Sequence, residues 1–255
     1  MRRKVVLCVS VIVVILLLVL LYQHSMKFLY GSLPPLEKRF HVLYVNLEAD
    51  VDRREKYLVM MPQAYPDHLS IERVLGVPDA SGRKGCRLAH LRAIARAQDL
   101  NQRYVLITED DIVPSNVGLP LQTCLTNFLA AVEKLDNSQA PVMLLLECGE
   151  NLETRIRLRE CRAGPHFRRI TAGGNNAGAY LVRRDFIQAL RRTWSFLPWV
   201  HIDHSWQHLW PFNKVWMAFP PPLKQGTVWS HNLKGVRQES RAFDVDMYWA
   251  KNRWI

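Results

Sequence analysis

The sequence predicts an α/β protein, a sheet covered on its faces by helices, set behind an N-terminal apolar helix. Three observations lead there. Nearly continuous apolar runs at 40–47, 104–107 and 142–146 read as short strands buried on both faces. Segments with apolar residues at helical spacing lie near 85–100, 120–135 and 184–193. Strand and helix signals alternate along the chain, the order that builds a sheet with helices packed on it. The chain has 255 residues, and the part beyond the N-terminal run is long enough for one domain with its own core.

Taken in order, the first element is the run from Val5 to Tyr22, which holds no charge, Pro or Gly. As a helix it spans about 27 Å, close to the hydrocarbon thickness of a bilayer. Arg2, Arg3 and Lys4 precede it. That cationic flank predicts a cytoplasmic tail at 1–4, a transmembrane signal anchor at 5–22 and the remainder across the membrane, a single-pass type II arrangement. A cleaved signal peptide is the rival reading, but Gln23, His24, Ser25 and Met26 offer no small-x-small cleavage site. Residues 23–39, with Gly31, Pro34 and Pro35, form a short stem, and 40–255 the domain. The strand from Phe40 to Leu47 opens it, and the polar stretch Asn46 to Lys56 leads into a helix. The helix near 85–100 is expected to bury Leu88, Leu91, Ile94 and Ala95. The strand Tyr104 to Ile107 runs into Glu109-Asp110-Asp111. A helix near 120–135, strands at 142–146 and 177–182, and a helix at 184–193 follow.

The charge is strongly basic: Lys and Arg number 34 against 23 Asp and Glu, a net +11. A basic cluster lies at Arg155, Arg157, Arg159, Arg162, Arg168 and Arg169. It reads as a solvated face or as a surface that draws in an anionic donor, acceptor or headgroup. No nucleic-acid motif accompanies it, and a domain across the membrane would not meet nucleic acid. Of five cysteines, Cys86, Cys124, Cys148 and Cys161 lie beyond the anchor and allow two disulfides, Cys148 with Cys161 being the first guess. No CxxC or Cys/His spacing of a structural zinc site is present, and no N-x-S/T sequon.

The chemistry concentrates in Ile107-Thr108-Glu109-Asp110-Asp111-Ile112. In open α/β sheets, ligands bind at the carboxyl ends of strands, where these carboxylates stand. Three adjacent carboxylates repel one another, and a divalent cation removes the conflict. Oxygen donors favour Mg²⁺, Mn²⁺ or Ca²⁺ over zinc. A turn lets Glu109 and Asp111 point to one side, where a held ion would bind phosphate oxygens and stabilise a departing nucleoside diphosphate.

Four blocks, in order, resemble glycosyltransferase family 25, which includes bacterial lipopolysaccharide galactosyltransferases and collagen hydroxylysine galactosyltransferases. They are YVNLEADVDRREKY (44–57), GCRLAHLRAI (85–94), YVLITEDDIVPS (104–115) and AGAYLVRRDF (177–186). The second departs from the family's Gly-Cys-x-x-Ser-His pattern, with Ala89 where the Ser stands and His90 retained. A weaker match runs through HIDHSW and PPLKQGTVWSHN, so the resemblance covers roughly 42–231.

The resemblance implies a GT-A-type, Rossmann-like nucleotide-diphospho-sugar transferase fold, a UDP-sugar donor (often UDP-galactose) and an inverting reaction. It places Asn46, Leu47 and Arg53 near the uridine and ribose. Asp111, with Glu109 or Asp110, would hold Mn²⁺ (or Mg²⁺) and the diphosphate. His231 follows no clear family pattern and is a candidate further metal ligand because GT-A enzymes often take a late His or Asp in that role. Asp203 is the candidate base that takes the acceptor's proton; the alternative for it is a helix cap. His90 reads as a buried packing residue or a donor-side contact. Gly173-Gly174-Asn175-Asn176 reads as a loop or a close approach of backbone to sugar. Lys224 and Lys234 are candidates to neutralise the leaving group.

The expected partners are a nucleotide sugar, a glycan, glycolipid or glycoprotein acceptor, and the membrane through the N-terminal helix. A type II topology points to the Golgi or endoplasmic reticulum. If the charge rule misleads, the alternative is a bacterial inner-membrane enzyme facing the cytoplasm and acting on lipopolysaccharide. Two other classes stay open: a non-catalytic carbohydrate-binding relative, which Ala89 favours and the intact Glu109-Asp110-Asp111 opposes, and a metal-dependent phosphoester hydrolase, which would need more His and Asp ligands.

Overall fold

β1 (Phe40–Asn46) explains much of the sheet. Phe40, Val42 and Tyr44 point to one face and Leu43 to the other, and all four are buried, so both faces must be covered. The computed structural model describes residues 33–36, 39–65, 69–147, 157–160, 164–172, 177–196, 202, 214–226, 228–230 and 235–237. Residues 35–255 cluster as one unit. Among the described residues no helix is long and apolar enough to cross a membrane; the run Val5 to Tyr22 lies outside them.

After β1 the chain forms α1 (Val51–Ala64), β2 (Leu69–Leu75), α2 (Gly82–Asp99), β3 (Tyr104–Glu109) and β4 (Ile112–Pro114). α3 (Leu121–Glu133), β5 (Met143–Leu145), β6 (Arg157–Glu160), β7 (Phe167–Ala172), β8 (Ala179–Arg183) and α4 (Arg184–Phe196) follow. The last strands are β9 (Val215–Ala218), β10 (Leu223–Gln225), β11 (Val228–Ser230) and β12 (Gly235–Arg237). The main sheet has the order β2-β1-β3-β8-β5-β9-β7-β6. β2, β1 and β3 are mutually parallel, joined by α1 and α2 as crossovers, which is the Rossmann-like half. β8 then runs antiparallel to both β3 and β5. β7 is antiparallel to β9 and to β6. The α/β class is thus as expected, and the sheet is mixed, parallel at β2-β1-β3 and largely antiparallel beyond.

One face carries α1 and α3, whose Tyr57, Met61, Leu125 and Phe128 pack with Phe40, Val42, Tyr104, Leu106 and Leu181. α2 and α4 pack together on the other face. α2 does not bury the leucines expected of it. Its buried residues are Gly85, Ala89, His90, Ala93, Ile94 and Ala97, while Leu88 and Leu91 are only half-buried. Small side chains at four-residue spacing let the helix lie close on the sheet, and that closeness brings His90 to the strands. Ala89, at the place of the family's Ser, belongs to this packed face.

Four members of the basic cluster, Arg157, Arg159, Arg168 and Arg169, fall on β6 and β7 at the far edge of the sheet, while Arg155 and Arg162 lie outside the described residues. Arg159 of β6 pairs in register with Arg169 of β7, and Glu160 with Arg168. β8, β5 and β9 stand between that edge and the parallel strands β1 and β3, so these four residues do not line the carboxyl ends described below.

Candidate functional site

Parallel pairing sets the carboxyl ends of β2, β1 and β3 side by side: Val45 is in register with Val74 on one flank and with Glu109 on the other. A cleft of about 470 Å³ opens there. The segments 45–50 and 75–79 form two sides, Gly85, Cys86 and Ala89 of α2 the floor, and Glu109, Asp110 and Asp111 the remaining wall. Gly85 is required by this geometry: a Cβ at that position would stand 2.4 Å from the carbonyl oxygen of Val77.

The acidic turn is pinned at both ends. The Glu109 amide donates to the Gly178 carbonyl at 2.7 Å, and the Gly226 amide to the Asp111 carbonyl at 2.7 Å. β4, directly after the turn, pairs antiparallel with β10, with Ile112 in register with Gln225. Beneath, the buried hydroxyls of Tyr57 and Thr108 share a hydrogen bond of 2.6 Å.

The three carboxylates separate by partner. Asn46 Nδ2 donates to Asp110 Oδ2 at 2.6 Å and to the Asp50 carbonyl at 3.0 Å. Arg53 donates through Nη2 to Asp110 Oδ1, and the same nitrogen lies 3.6 Å from Asp111 Oδ2. Burial pushes Asp110 up to about 6, against the lowering effect of the Arg53 charge and the Asn46 hydrogen bond. Arg53 in turn has its proton held more tightly than usual: burial works against its charge, but Asp110, Asp111, Asp50 and Glu109 outweigh it. Glu109 turns the other way. Its Oε1 lies 3.2 Å from His90 Nε2 and 3.5 Å from Cys86 Sγ, and its Oε2 accepts from Gln225 at 3.5 Å. His90 Nδ1 lies 2.9 Å from the hydroxyl of Tyr180, whose ionisation burial opposes strongly.

Of the residues singled out in the sequence, the fold therefore brings Asn46, Leu47, Arg53, Glu109, Asp110 and Asp111 to one cleft. Asn46 and Arg53 both grip Asp110, a relation that no local spacing reveals. Asp203 and His231, together with Gly173–Asn176 and Lys234, lie outside the described residues. Lys224 is half-buried on β10. The Cys86 thiol donates to Glu109, and Cys124 is a core thiol that burial pushes up to about 12, so the two disulfides that the cysteine count allows do not both form. Cys148 and Cys161 are also outside the described residues. Two contributors were not singled out. Tyr180 fixes His90 from a strand that pairs with β3, ninety residues away in sequence. Gln225 reaches Glu109 from β10.

No protein-family model matches the chain, and no curated protein matches it. Among solved structures it is similar to a glycosyltransferase involved in the glycosylation of the major capsid of PBCV-1, at 9% identity and a TM-score of 0.44, covering 85% of this chain and 100% of that one. It is also similar to a mannose-1-phosphate geranyltransferase from Thermus thermophilus (14% identity, TM-score 0.35, 71% and 74% covered). A third likeness is to the glycosyltransferase GlyE of Streptococcus pneumoniae in its apo form (12% identity, TM-score 0.38), where 70% of this chain overlaps 44% of that one. At such identities and scores, nothing about the chemistry of this chain follows from them.

Proposed function

We propose that this chain is a metal-dependent, inverting glycosyltransferase of the family 25 kind. It moves a hexose, galactose from UDP-galactose foremost, onto a hydroxyl of a glycan, glycolipid or glycoprotein. One observation carries the reading: Glu109, Asp110 and Asp111 form one wall of a cleft at the carboxyl ends of three parallel strands, with the Arg53 guanidinium set among them. The cleft volume, about 470 Å³, is ample for a nucleotide.

The carboxylates offer only oxygen donors, the set that Mn²⁺ or Mg²⁺ prefers, so these residues fit such an ion. Asp111 would be the principal ligand, with His231 outside the described residues; Glu109, expected to point to the same side as Asp111, faces Cys86, His90 and Gln225 instead and would join Asp111 only by turning from them. A bound ion would supply charge stabilisation for the departing diphosphate. The chain's own residues do the rest. Asn46 and Arg53 engage both oxygens of Asp110 and so hold the turn that presents Asp111. The segments 45–50 and 75–79, Leu47 among them, line the cleft where the base and ribose would lie. Asp203 takes the acceptor proton as the acceptor oxygen bonds to the anomeric carbon and the bond to the diphosphate breaks. The basic residues before the apolar run at 5–22 support a type II membrane protein with this domain in the Golgi or endoplasmic reticulum lumen.

The test is thermal unfolding of the full chain in detergent against a panel of nucleotides and nucleotide sugars, with and without Mn²⁺. Stabilisation by one UDP-sugar only when metal is present is the expected result. A well-folded chain that responds to none of them overturns the donor assignment.

A further inference from the structure

A second group of metal-ligating side chains lies at the cleft floor and just beneath it, beside the carboxylate wall. Cys86 and His90 are one helical turn apart on the inner face of α2, and Glu109 ends the strand beneath them. One donor atom from each lies within 4.8 Å of the others. The separations are informative. Zinc bonds of about 2.3 Å to sulfur and about 2.0–2.2 Å to nitrogen and oxygen, at tetrahedral angles, put S and O about 3.6 Å apart and N and O about 3.4 Å apart. Cys86 Sγ stands 3.5 Å from Glu109 Oε1, and His90 Nε2 stands 3.2 Å from the same oxygen.

We propose that Cys86, His90 and Glu109 form a site for a soft divalent cation, Zn²⁺, separate from the oxygen-only ligands at Asp111. Thiolate and imidazole select zinc over Mn²⁺ and Mg²⁺. Thiolate and carboxylate together cancel the ion's two charges, so burying it leaves no net charge. His90 is ready to serve: its Nδ1 is held by Tyr180, whose hydroxyl can accept as well as donate. When the hydroxyl accepts from Nδ1–H, Nε2 carries the lone pair that faces Glu109 and Cys86. A ligating histidine commonly has such a partner on its other nitrogen. His90 is fully buried, whereas Cys86 and Glu109 line the cleft, which gives the ion a way in and leaves its fourth position open to the cleft. The cysteine proton leaves to solvent on binding. The site does not depend on the transfer reaction, and because Glu109 belongs to both groups, zinc and the hard ion compete for it.

The experiment uses the metal-stripped full chain in detergent. Co²⁺ serves as the spectroscopic probe and Zn²⁺ is titrated against a chromophoric chelator. The wild type should bind one equivalent and show thiolate-to-cobalt absorption. Cys86→Ser should lose that band and bind Zn²⁺ at least roughly tenfold more weakly, and Tyr180→Phe should keep the band with an affinity lower by roughly 10–100-fold. Independently of any variant, Zn²⁺ should protect Cys86 of the wild type from alkylation, mapped by peptide mass. No zinc binding, an unchanged band in Cys86→Ser, or Cys86 alkylation at the same rate with and without Zn²⁺ overturns the proposal.

Discussion

Replacing Arg53 with Met probes the electrostatics of the cleft directly. The Arg53 side chain is 21% exposed, and the carboxylates that it faces, Asp110 and Asp111, are 4% and 5% exposed. Removing one partner of a buried ion pair costs about 3–5 kcal/mol, because the remaining charge is left buried without compensation. Arg53 keeps some contact with water, so the lower end, about 3 kcal/mol, is the expected loss without metal. For a domain of this size that corresponds to a fall in Tm of about 6–12 °C. A divalent cation held at Asp111 would take over part of the guanidinium's task. At a hundredfold excess over its Kd it returns about 2.7 kcal/mol. The assay is thermal unfolding of Arg53→Met and wild type in EDTA and in Mn²⁺. The account expects a large deficit in EDTA and a larger Mn²⁺ stabilisation in the variant than in the wild type. A variant as stable as wild type in EDTA would refute the view that Arg53 offsets the carboxylate repulsion.

Three further outcomes are expected. Tyr57→Phe strands the buried Thr108 hydroxyl and should cost about 1–3 kcal/mol in urea unfolding, while adding Thr108→Val should return most of it, since neither polar partner then remains; additive losses would count against the pair. Gly85→Ala drives a Cβ against the Val77 carbonyl and should displace the 77–79 side of the cleft, weakening UDP binding by roughly tenfold, about 1.4 kcal/mol, in calorimetry. Unchanged affinity would separate UDP from that side of the cleft. Asp203→Asn should lower turnover with little change in donor affinity, and an equal loss of donor binding would make Asp203 a donor or metal contact instead.

The central strands were legible because burial on both faces writes itself as unbroken apolar residues, as in Val42–Val45 and Tyr104–Ile107. The Glu109–Asp111 turn was legible because three carboxylates directly after such a run have few structural uses. β2 carries no such signal. LSIERVL mixes Glu72 and Arg73 into its middle, which a strand at the edge of the described sheet tolerates, with β1 on one side of it. The insertion of β8 between β3 and β5 is a matter of pairing across more than seventy residues, to which no local pattern responds. The inner face of α2 is not legible in hydropathy, which points to Leu88 and Leu91, while close packing selects Ala89, Ala93 and Ala97. Asn46 and Arg53 were placed in the site by resemblance, but their grip on Asp110 is tertiary, as is the meeting of Cys86, His90 and Glu109.

The measurement that bears most directly on the central claim is calorimetric titration of UDP into the full chain with Mn²⁺, with EDTA, and in Asp111→Asn with Mn²⁺. The account predicts binding in the first case only, with Asp111→Asn folded and as stable as wild type in EDTA or more so. UDP binding of equal strength in all three would contradict it, because the carboxylate wall would then hold no metal for a diphosphate.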